Sequence, residues 1–208
     1  MRKFRLIDNL ITLDCEQGTE EWLVARLGIP TATGIKNIVT PNGQKSGGWV
    51  SYLAELVAES IEGVTEGFKS QHMERGNELE PLARMAYEFE TGHDVTQVGG
   101  VFLNEKKELM ISPGGLILSR QKGLEIKCPK MKTHIKYILE GGVPSEYIIQ
   151  VQVAMWVTGY KSWDFVSYCP EYKKQTLYLH TATRDENLMK AFDEYIPQFL
   201  TSLKALKG

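Results

Sequence analysis

The spacing of hydrophobic residues divides the chain into a helical first part and a centre of short strands. Through the first ninety residues, apolar positions at helical spacing predict helices over 19–28, 31–38, 49–62 and 75–90. Pro81 lies inside the last of these patterns, so we expect that helix to start or kink near Glu80. The first third of the chain is therefore predicted to be helical.

Residues 41–48 separate the second and third predicted helices. The segment consists of Pro, Asn, Gly, Gln, Lys and Ser, with three glycines among its eight residues. Residues of these types favour turns over helices and strands. We therefore expect this segment to form a mobile loop.

The spacing of apolar residues changes from helical to strand-like in the centre of the chain. Short segments of strand-like composition, broken by glycines, predict hairpin-linked strands over 95–101, 109–112, 116–118 and 124–127. The remaining pattern predicts a helix between Pro129 and Gly141, a helix over 145–157, edge strands over 163–168 and 176–181, and a final helix from the N-cap Asp185 to Leu206. This order predicts one α/β or α+β domain over residues 1–208.

The composition narrows the classes of function. A net charge of -2 and an isoelectric point near 6.1 count against indiscriminate nucleic-acid binding, although they leave room for a concentrated basic groove. Cys15, Cys128 and Cys169 are odd in number and lack metal-ligand spacing, so we expect reduced thiols. No stretch reaches the roughly 18 apolar residues of a membrane span, and residues 1–5 lack the apolar run of a signal peptide, so we expect a cytoplasmic protein.

Two charged residues in the last of the central strands are the first candidates for chemistry. Glu125 and Lys127 are two positions apart, so their side chains leave the same face of the strand, while Leu124 and Ile126 leave the other. An isolated Glu-x-Lys is more often an incidental ion pair on a sheet face than a functional site. The surrounding sequence must therefore decide between the two interpretations.

The surrounding motifs favour the functional interpretation. Ser112-Pro113-Gly114-Gly115-Leu116 precedes the pair, and Gly123-Leu124-Glu125-Ile126-Lys127-Cys128-Pro129 contains it. Further motifs are Glu21-Trp22, Arg26-Leu27-Gly28, Thr31-Ala32-Thr33, Arg75-Gly76-Asn77-Glu78-Leu79-Glu80, Gln150-Val151-Gln152 and Arg184-Asp185-Glu186. In this order, over nearly the whole chain, they resemble the lambda-type phage exonucleases. That family belongs to the nuclease superfamily with a divided acidic-acidic-x-lysine motif.

The resemblance implies a fold and an activity that spacing alone does not. The implied fold is a restriction-endonuclease-like core, in which helices flank a central mixed β-sheet. The implied activity is Mg²⁺-dependent degradation of one strand of linear double-stranded DNA, 5' to 3' from a phosphorylated end, with Mn²⁺ as the alternative cation. A homotrimeric ring that cooperates with a single-strand annealing protein in recombination, in the cytoplasm of a phage host, is also implied.

The resemblance also assigns roles at the hairpin. Glu125 and the backbone carbonyl of Ile126 would bind the metal ion, Lys127 would position or activate the attacking water, and Glu80 would be the acid from a helix. These roles are chemically consistent, because Mg²⁺ prefers carboxylate, carbonyl and water oxygens, and a nearby cation stabilises negative charge on phosphorus.

Other residues match the family at the substrate. Gln150 corresponds to the glutamine beside the catalytic lysine, although a purely structural hydrogen bond is an equally open role. Arg26 and Thr33 match residues that bind the 5'-phosphate, and the forked donors of a guanidinium suit that dianion. Lys45, in the glycine-rich segment, would add a contact to the DNA backbone.

The sequence departs from the family at Gly114. The family has an aspartate at this metal-binding position, and a glycine supplies no side-chain ligand. Loss of that carboxylate should weaken cation binding and lower activity by orders of magnitude. Gly114 would be an engineered inactivating change, a natural change compensated by another acid such as Glu108, or a sign of a non-catalytic DNA-end-binding ring that recruits an annealing protein. We favour the first, because Glu80, Glu125 and Lys127 all remain.

Overall fold

The computed structural model describes residues 4–63 and 71–208. In chain order the elements are β1 (Phe4–Ile7), β2 (Leu10–Leu13), α1 (Glu20–Arg26), α2 (Trp49–Glu62), α3 (Gln71–Thr91), β3 (Gly100–Phe102), β4 (Met110–Ile111), β5 (Gly115–Ile117), β6 (Lys122–Lys127), α4 (Met131–Glu140), α5 (Ile148–Thr158), β7 (Ser162–Tyr168), β8 (Leu177–Thr183) and α6 (Glu186–Lys207). Short 3₁₀ turns cover Ile35–Asn37, Leu118–Arg120 and Ser145–Tyr147. Among the described residues, no helix is long and apolar enough to cross a lipid bilayer.

The strands of the described chain form two sheets of four strands each. One is antiparallel, in the order β1-β2-β3-β4, and the other is mixed, in the order β5-β6-β7-β8, because β6 and β7 run parallel. Helix α3 contacts β6 and β7, and α4 and α5 contact the mixed sheet as well. The predicted α/β class, with a mixed sheet flanked by helices, is confirmed, and the antiparallel sheet is an addition to it.

The expectation that the first third is helical is wrong for its beginning. Asp8 and Asn9 both adopt positive φ, at 51° and 63°, and form the two-residue turn that joins β1 to β2. Such turns match the twist of the strands that they connect. Strand β2 then pairs with β3, whose residues lie about ninety positions further along the chain. Only part of 31–38 is helical, as the turn Ile35–Asn37.

Helix α3 continues through Pro81 instead of starting at Glu80. Pro81 is exposed, whereas Ala83 and Tyr87 of the same helix are fully buried against β6. Burial of this face stabilises the helix enough to offset the backbone hydrogen bond that proline removes. The helix ends at Thr91, as the sequence predicts.

Two strand predictions are corrected. Residues 95–99 are outside any named strand, because their pairing is limited to one isolated bridge between Thr96 and Leu116, and β3 covers only Gly100–Phe102. Strand β7, predicted at an edge, is central, since it pairs with both β6 and β8. Residues 41–48 do form a loop, which is closed by a hydrogen bond of 2.9 Å from the Ser46 N–H to the Ile38 carbonyl oxygen. The mobility of this loop stays a prediction.

A buried carboxylate joins α3 to the mixed sheet. Asp164 on β7 is 2% exposed and accepts hydrogen bonds from the Tyr87 hydroxyl at 2.7 Å, the Thr181 hydroxyl at 2.6 Å and the Lys122 ammonium at 3.1 Å. These donors offset the cost of burying its charge. The network therefore fixes the position of α3 on the sheet.

The Asp164→Ala variant is expected to lose about 3 kcal/mol of unfolding free energy, because it leaves a Lys122 ammonium and two hydroxyls without their acceptor. Urea unfolding followed by circular dichroism measures this loss. The control is Asp14→Ala, which breaks the exposed ion pair with Arg5 at 3.5 Å and should cost less than about 1 kcal/mol. Equal losses in the two variants would contradict the structural role of Asp164.

Candidate active site

The predicted site residues converge on one cavity of about 180 Å³. Its lining residues are Gln17, Trp22, Arg26, Thr31, Ala32, Thr33, Glu80, Ser112, Gly114, Glu125, Ile126, Lys127 and Gln150. All the predicted site residues except Lys45 are among them. The structure thus brings these residues together from α1, α3, α5 and the β5–β6 hairpin, while their roles stay predictions.

Glu125 and Lys127 lie at the end of β6, on the face opposite Leu124 and Ile126. The Glu125 side chain is buried, and its Oε1 accepts a hydrogen bond from Gln150 Nε2 at 2.8 Å and lies 2.6 Å from Lys127 Nζ. Leu124 and Ile126 instead pack in the apolar cluster under α3. The alternation predicted for this strand is confirmed, and the ion pair is largely shielded from solvent, with 7% of the Glu125 side chain and 27% of the Lys127 side chain exposed.

Lys127 remains a cation in this environment. Burial lowers the pKa of its ammonium, but Glu125, together with Tyr147 and Glu80, outweighs that effect, so the resulting pKa lies above the ordinary value. The Nζ atom also lies 4.6 Å from the centre of the Tyr147 ring. Lys127 can therefore supply positive charge or donate a hydrogen bond, but it is not a neutral base in this state.

Glu80 reaches the same cavity from α3. Its Oε1 accepts a hydrogen bond from Arg84 Nη2 at 2.8 Å, and Arg84 Nε donates to the Gly114 carbonyl oxygen at 3.2 Å. Burial raises the pKa of Glu80, Arg84 opposes that rise, and the neighbouring Glu125 carboxylate adds to it. Glu80 and Glu125 are thus close enough to repel each other, and a cation between them would relieve that repulsion.

Gly114 lies at the mouth of the hairpin, where its N–H donates to the Leu124 carbonyl at 2.8 Å. A Cβ at this position would lie 3.0 Å from Ile126 Cγ1 and 3.2 Å from Ile126 N. The Leu124 carbonyl oxygen lies 3.2 Å away as well, so a side chain is accommodated if Ile126 and the adjoining β6 backbone shift by a few tenths of an ångström. Glu108 accepts a hydrogen bond from Asn104 at 2.9 Å and is outside the cavity lining, so it does not replace the missing carboxylate in this structure.

The oxygen donors of the cavity suit Mg²⁺ in kind but are few. Glu80, Glu125 and the Ile126 carbonyl are hard ligands of the type that Mg²⁺ prefers. In the described chain no group of three or more His, Cys, Asp or Glu residues is arranged to hold a metal ion. Two carboxylates fit one cation supplemented by water, and they are too few for a closely spaced pair of cations.

Arg26 provides a cationic surface on the other wall of the cavity. Its guanidinium carbon lies 4.0 Å from the centre of the Trp22 ring, and its buried Nε has no hydrogen-bond partner in the described part of the chain. Burial lowers the pKa of Arg26, with Tyr52 and Glu59 opposing that effect, but guanidinium groups stay charged in proteins. A buried donor without a partner suits an anionic ligand. Thr33, exposed on the same wall, has its hydroxyl 3.3 Å from that of Thr31.

Lys45 is the one predicted site residue that lies elsewhere. It is exposed in the loop over 41–48, with its Nζ 4.0 Å from the centre of the Trp49 ring. A contact from Lys45 to DNA is compatible with this exposure, but Lys45 takes no part in the cavity.

Sequence reasoning assigned no role to two residues that hold the site together. Gln17 donates to the Pro113 carbonyl at 2.8 Å and to the Val98 carbonyl at 3.1 Å, which fixes the turn that precedes Gly114. Arg84 connects Glu80 to that turn, and its spacing of four residues from Glu80 on a helix could have identified it. No sequence pattern points to Gln17.

Comparisons with known proteins agree with this geometry. Residues 21–161 match the family model described as the YqaJ-like viral recombinase domain. The alkaline exonuclease LHK-Exo from Laribacter hongkongensis, known from a crystal structure, is 36% identical in sequence to this chain. The match covers 90% of this chain and 93% of LHK-Exo, and the two structures superpose with a TM-score of 0.79. A phage-related exonuclease from Haemophilus somnus 129PT, 15% identical over 86% of this chain and 93% of its own, shares the fold with a TM-score of 0.64.

A curated relative is shorter. The putative uncharacterized protein ExoD of Escherichia coli K12 is 37% identical over 71 residues, which is 33% of this chain and 82% of that protein. The resemblance to phage-type exonucleases that the sequence motifs predict is confirmed by these matches.

Proposed function

The chain belongs to the YqaJ-like viral recombinase family, and on that premise we propose that it is an exonuclease that degrades one strand of linear double-stranded DNA, 5' to 3'. One observation carries the proposal: a single cavity contains Glu80, Glu125 and Lys127 together with Arg26, whose buried Nε has no hydrogen-bond partner among the described residues. Acidic oxygens beside a lysine suit phosphodiester hydrolysis, and a buried arginine donor suits the phosphate at a DNA end.

Each residue of the cavity has a distinct task in this proposal. Mg²⁺, or Mn²⁺, held by Glu80, Glu125 and the Ile126 carbonyl, would polarise a phosphoryl oxygen. Lys127 stays protonated and stabilises the negative charge that develops on the phosphate. Gln150 is a positioning residue, because its amide holds the Glu125 carboxylate at 2.8 Å.

The substrate end is held by the opposite wall. Arg26, stacked on Trp22, binds the 5'-phosphate, and the Thr33 hydroxyl donates a further hydrogen bond. Lys45 contacts the DNA backbone outside the cavity. As the resemblance implies, the chain acts as a homotrimeric ring with a single-strand annealing protein in the host cytoplasm. If sedimentation equilibrium at working concentration shows a monomer, the proposal of a trimeric ring is wrong.

Gly114 limits turnover in this chain. Each carboxylate already has a cationic partner, Arg84 for Glu80 and Lys127 for Glu125, and Arg26 is an additional positive charge. Without a third carboxylate, the cavity holds divalent cations weakly. This charge balance favours a second candidate function, in which the chain binds phosphorylated DNA ends without cutting them and recruits the annealing protein there.

The direct test of the proposal is the polarity of digestion by a Gly114→Asp variant. Linear duplexes that carry a label at the 5' or the 3' terminus of one strand are incubated with the variant in Mg²⁺ or in EDTA. We expect early release of the 5' label as mononucleotide, in Mg²⁺ only. A variant that releases neither label contradicts the nuclease proposal, and tight binding to phosphorylated ends without digestion then supports the second candidate.

Arg26→Gln in the Gly114→Asp background is expected to reduce the preference for 5'-phosphate over 5'-hydroxyl ends at least about tenfold, because one charge-assisted interaction is lost. The measurement is the ratio of initial digestion rates on the two substrates. Arg5→Gln, which removes an exposed arginine outside the cavity, is the matched control and should leave the ratio unchanged. An unchanged ratio in the Arg26→Gln variant would remove Arg26 from the phosphate site.

A further inference from the structure

Five exposed lysines lie on the two segments that follow the carboxyl-terminal ends of β6 and β7 in the mixed sheet. Lys130, Lys132 and Lys136 belong to the segment that follows β6, and Lys173 and Lys174 belong to the loop that follows β7. We refer to these five residues as the lysine surface. Their concentration contrasts with the net charge of -2 of the whole chain.

The topology of the sheet brings the two segments to one edge. Strands β6 and β7 run parallel, and Lys127 pairs in register with Ser167, so both strands end at the same edge. The chain that leaves β6 begins α4 within a few residues, and the loop over 169–176 leaves β7 beside it. Both segments therefore start next to the end of the strand that carries Glu125 and Lys127.

Arg75 ties the two segments together. Its Nε donates to the Cys128 carbonyl at 3.2 Å and its Nη2 to the Pro129 carbonyl at 3.4 Å, both in the segment after β6. Its Nη1 and Nη2 also donate to the Glu171 carboxylate, in the loop after β7, at 2.9 and 2.8 Å. One guanidinium thus holds both segments with its forked donors.

His134 provides a second, buried connection. Its Nε2 lies 2.9 Å from the Gln175 carbonyl oxygen, which can only accept, so Nε2 carries the proton. In the neutral imidazole, Nδ1 then accepts a hydrogen bond from the Ser167 hydroxyl at 2.7 Å. Because the fully buried His134 connects α4 to this loop, the two segments that carry the lysines are held side by side.

The positive charge of this surface is largely uncompensated. Lys136 lies 3.6 Å from Glu140, but in the described chain Lys130, Lys132, Lys173 and Lys174 make no ion pair. Glu171 is held by Arg75, whose hydrogen bond lowers the pKa of that carboxyl to about 2. Several exposed lysines without ion-pair partners suit the successive phosphates of a duplex better than a compact ligand.

We propose that the lysine surface binds the phosphate backbone of duplex DNA that leads to the cavity. The proposal rests on the proposed function, because it identifies where the duplex lies relative to that site. Lys130 follows the cavity residue Lys127 by three positions, so the lysine surface begins close to the site along the chain. Contacts of this kind carry no sequence preference and weaken steeply with salt.

The test uses the chain with Gly114 in EDTA, so that binding is measured without digestion. Lys132, Lys173 and Lys174 are changed together to Gln, and Lys106, Lys190 and Lys204, exposed elsewhere, are changed together as the matched control. Fluorescence anisotropy of a labelled duplex of about 20 base pairs follows affinity as salt increases. Each lost phosphate contact lowers the slope of log affinity against log salt by about 0.9. Near 0.15 M salt, this change corresponds to an affinity that is about fivefold lower for each contact.

We expect the test variant to bind about 100-fold more weakly at that salt concentration, with a slope lower by about two to three, while Lys→Arg at the same positions restores binding. Equal affinity and slope in the test and control variants overturn the proposal, as does binding of phosphatidylserine vesicles in preference to duplex. Loss of binding in the test variant supports it even if Gly114→Asp digests nothing. If the Gly114→Asp variant digests DNA but the change of the three lysines to Gln leaves binding unaltered, only the proposal for the lysine surface is refuted.

Discussion

Changing Gly114 to aspartate is expected to raise the rate of nucleotide release from 5'-phosphorylated linear duplex in Mg²⁺ by at least about 100-fold. The expectation follows from the number of ligands: the cavity has two carboxylates, Glu80 and Glu125, and a third at the hairpin mouth would hold divalent cations near both. Charge stabilisation by a bound cation is worth several kcal/mol, and about 3 kcal/mol corresponds to roughly 100-fold in rate.

The geometry at Gly114 allows this change. The Cβ position lies 3.0 Å from Ile126 Cγ1 and 3.2 Å from both Ile126 N and the Leu124 carbonyl oxygen, so the Ile126 side chain and the β6 backbone must each move by a few tenths of an ångström. The turn itself stays in place, because Gln17 holds the Pro113 carbonyl and Arg84 holds the Gly114 carbonyl. The added carboxylate therefore enters a site whose framework is already formed.

The matched control is Gly114→Asn. Asparagine has nearly the same shape as aspartate and requires the same movement of Ile126, but it carries no charge. We expect it to remain within about threefold of the chain with Gly114, since a neutral amide binds Mg²⁺ more weakly than a carboxylate. Equal gains from Asp and Asn would show that the space at position 114, and not the charge, limits the reaction.

The second large effect is expected from the hairpin itself. In the Gly114→Asp background, Glu125→Gln should lower the rate of digestion by about 1,000-fold, or roughly 4 kcal/mol, because it removes a metal ligand and the acceptor that orients Lys127. Lys127→Ala should cause a loss of similar size through the missing positive charge. Single-turnover digestion of a labelled duplex measures both.

Fold and chemistry can be separated in these variants. Glu125 is buried, so urea unfolding of each variant must accompany the rates, and a folded but inactive Glu125→Gln protein is the expected result. Glu108→Gln is the control, because Glu108 pairs with Asn104 outside the cavity and should leave the rate unchanged. A rate lost in the Glu108→Gln variant and kept in the Glu125→Gln variant would place the catalytic acid at Glu108.

The sequence predicts those elements whose stabilising contacts are local. Helix α2 has the predicted bounds, Trp49–Glu62, because its apolar spacing ends at Gly63, which adopts the left-handed conformation with φ of 69°. The alternation over Leu124–Lys127 was also predictable, since one face of that strand is apolar and the other charged.

Elements that depend on distant partners could not be predicted in this way. The hairpin of β1 and β2 gains its place from β3, and β7 becomes central only through the crossover that brings it beside β6. The site shows the same division. Glu125 and Lys127 were visible in the sequence, Glu80 and Arg26 were found by resemblance, and the hydrogen bonds of Gln17 follow only from the folded chain.

The most direct test of position 114 as the missing metal ligand is the binding of Mn²⁺ by isothermal titration calorimetry, without DNA. We compare the chain as it stands with its Gly114→Asp and Gly114→Asn variants. We predict at most one weakly bound cation for the unaltered chain and for the Gly114→Asn variant. For the Gly114→Asp variant, which has the third carboxylate, we predict two bound cations. The tighter of the two should bind at least about tenfold more strongly than the cation of the unaltered chain. If the chain with Gly114 binds two cations as tightly as the aspartate variant does, position 114 is not the missing metal ligand, and the explanation for an impaired nuclease site is wrong.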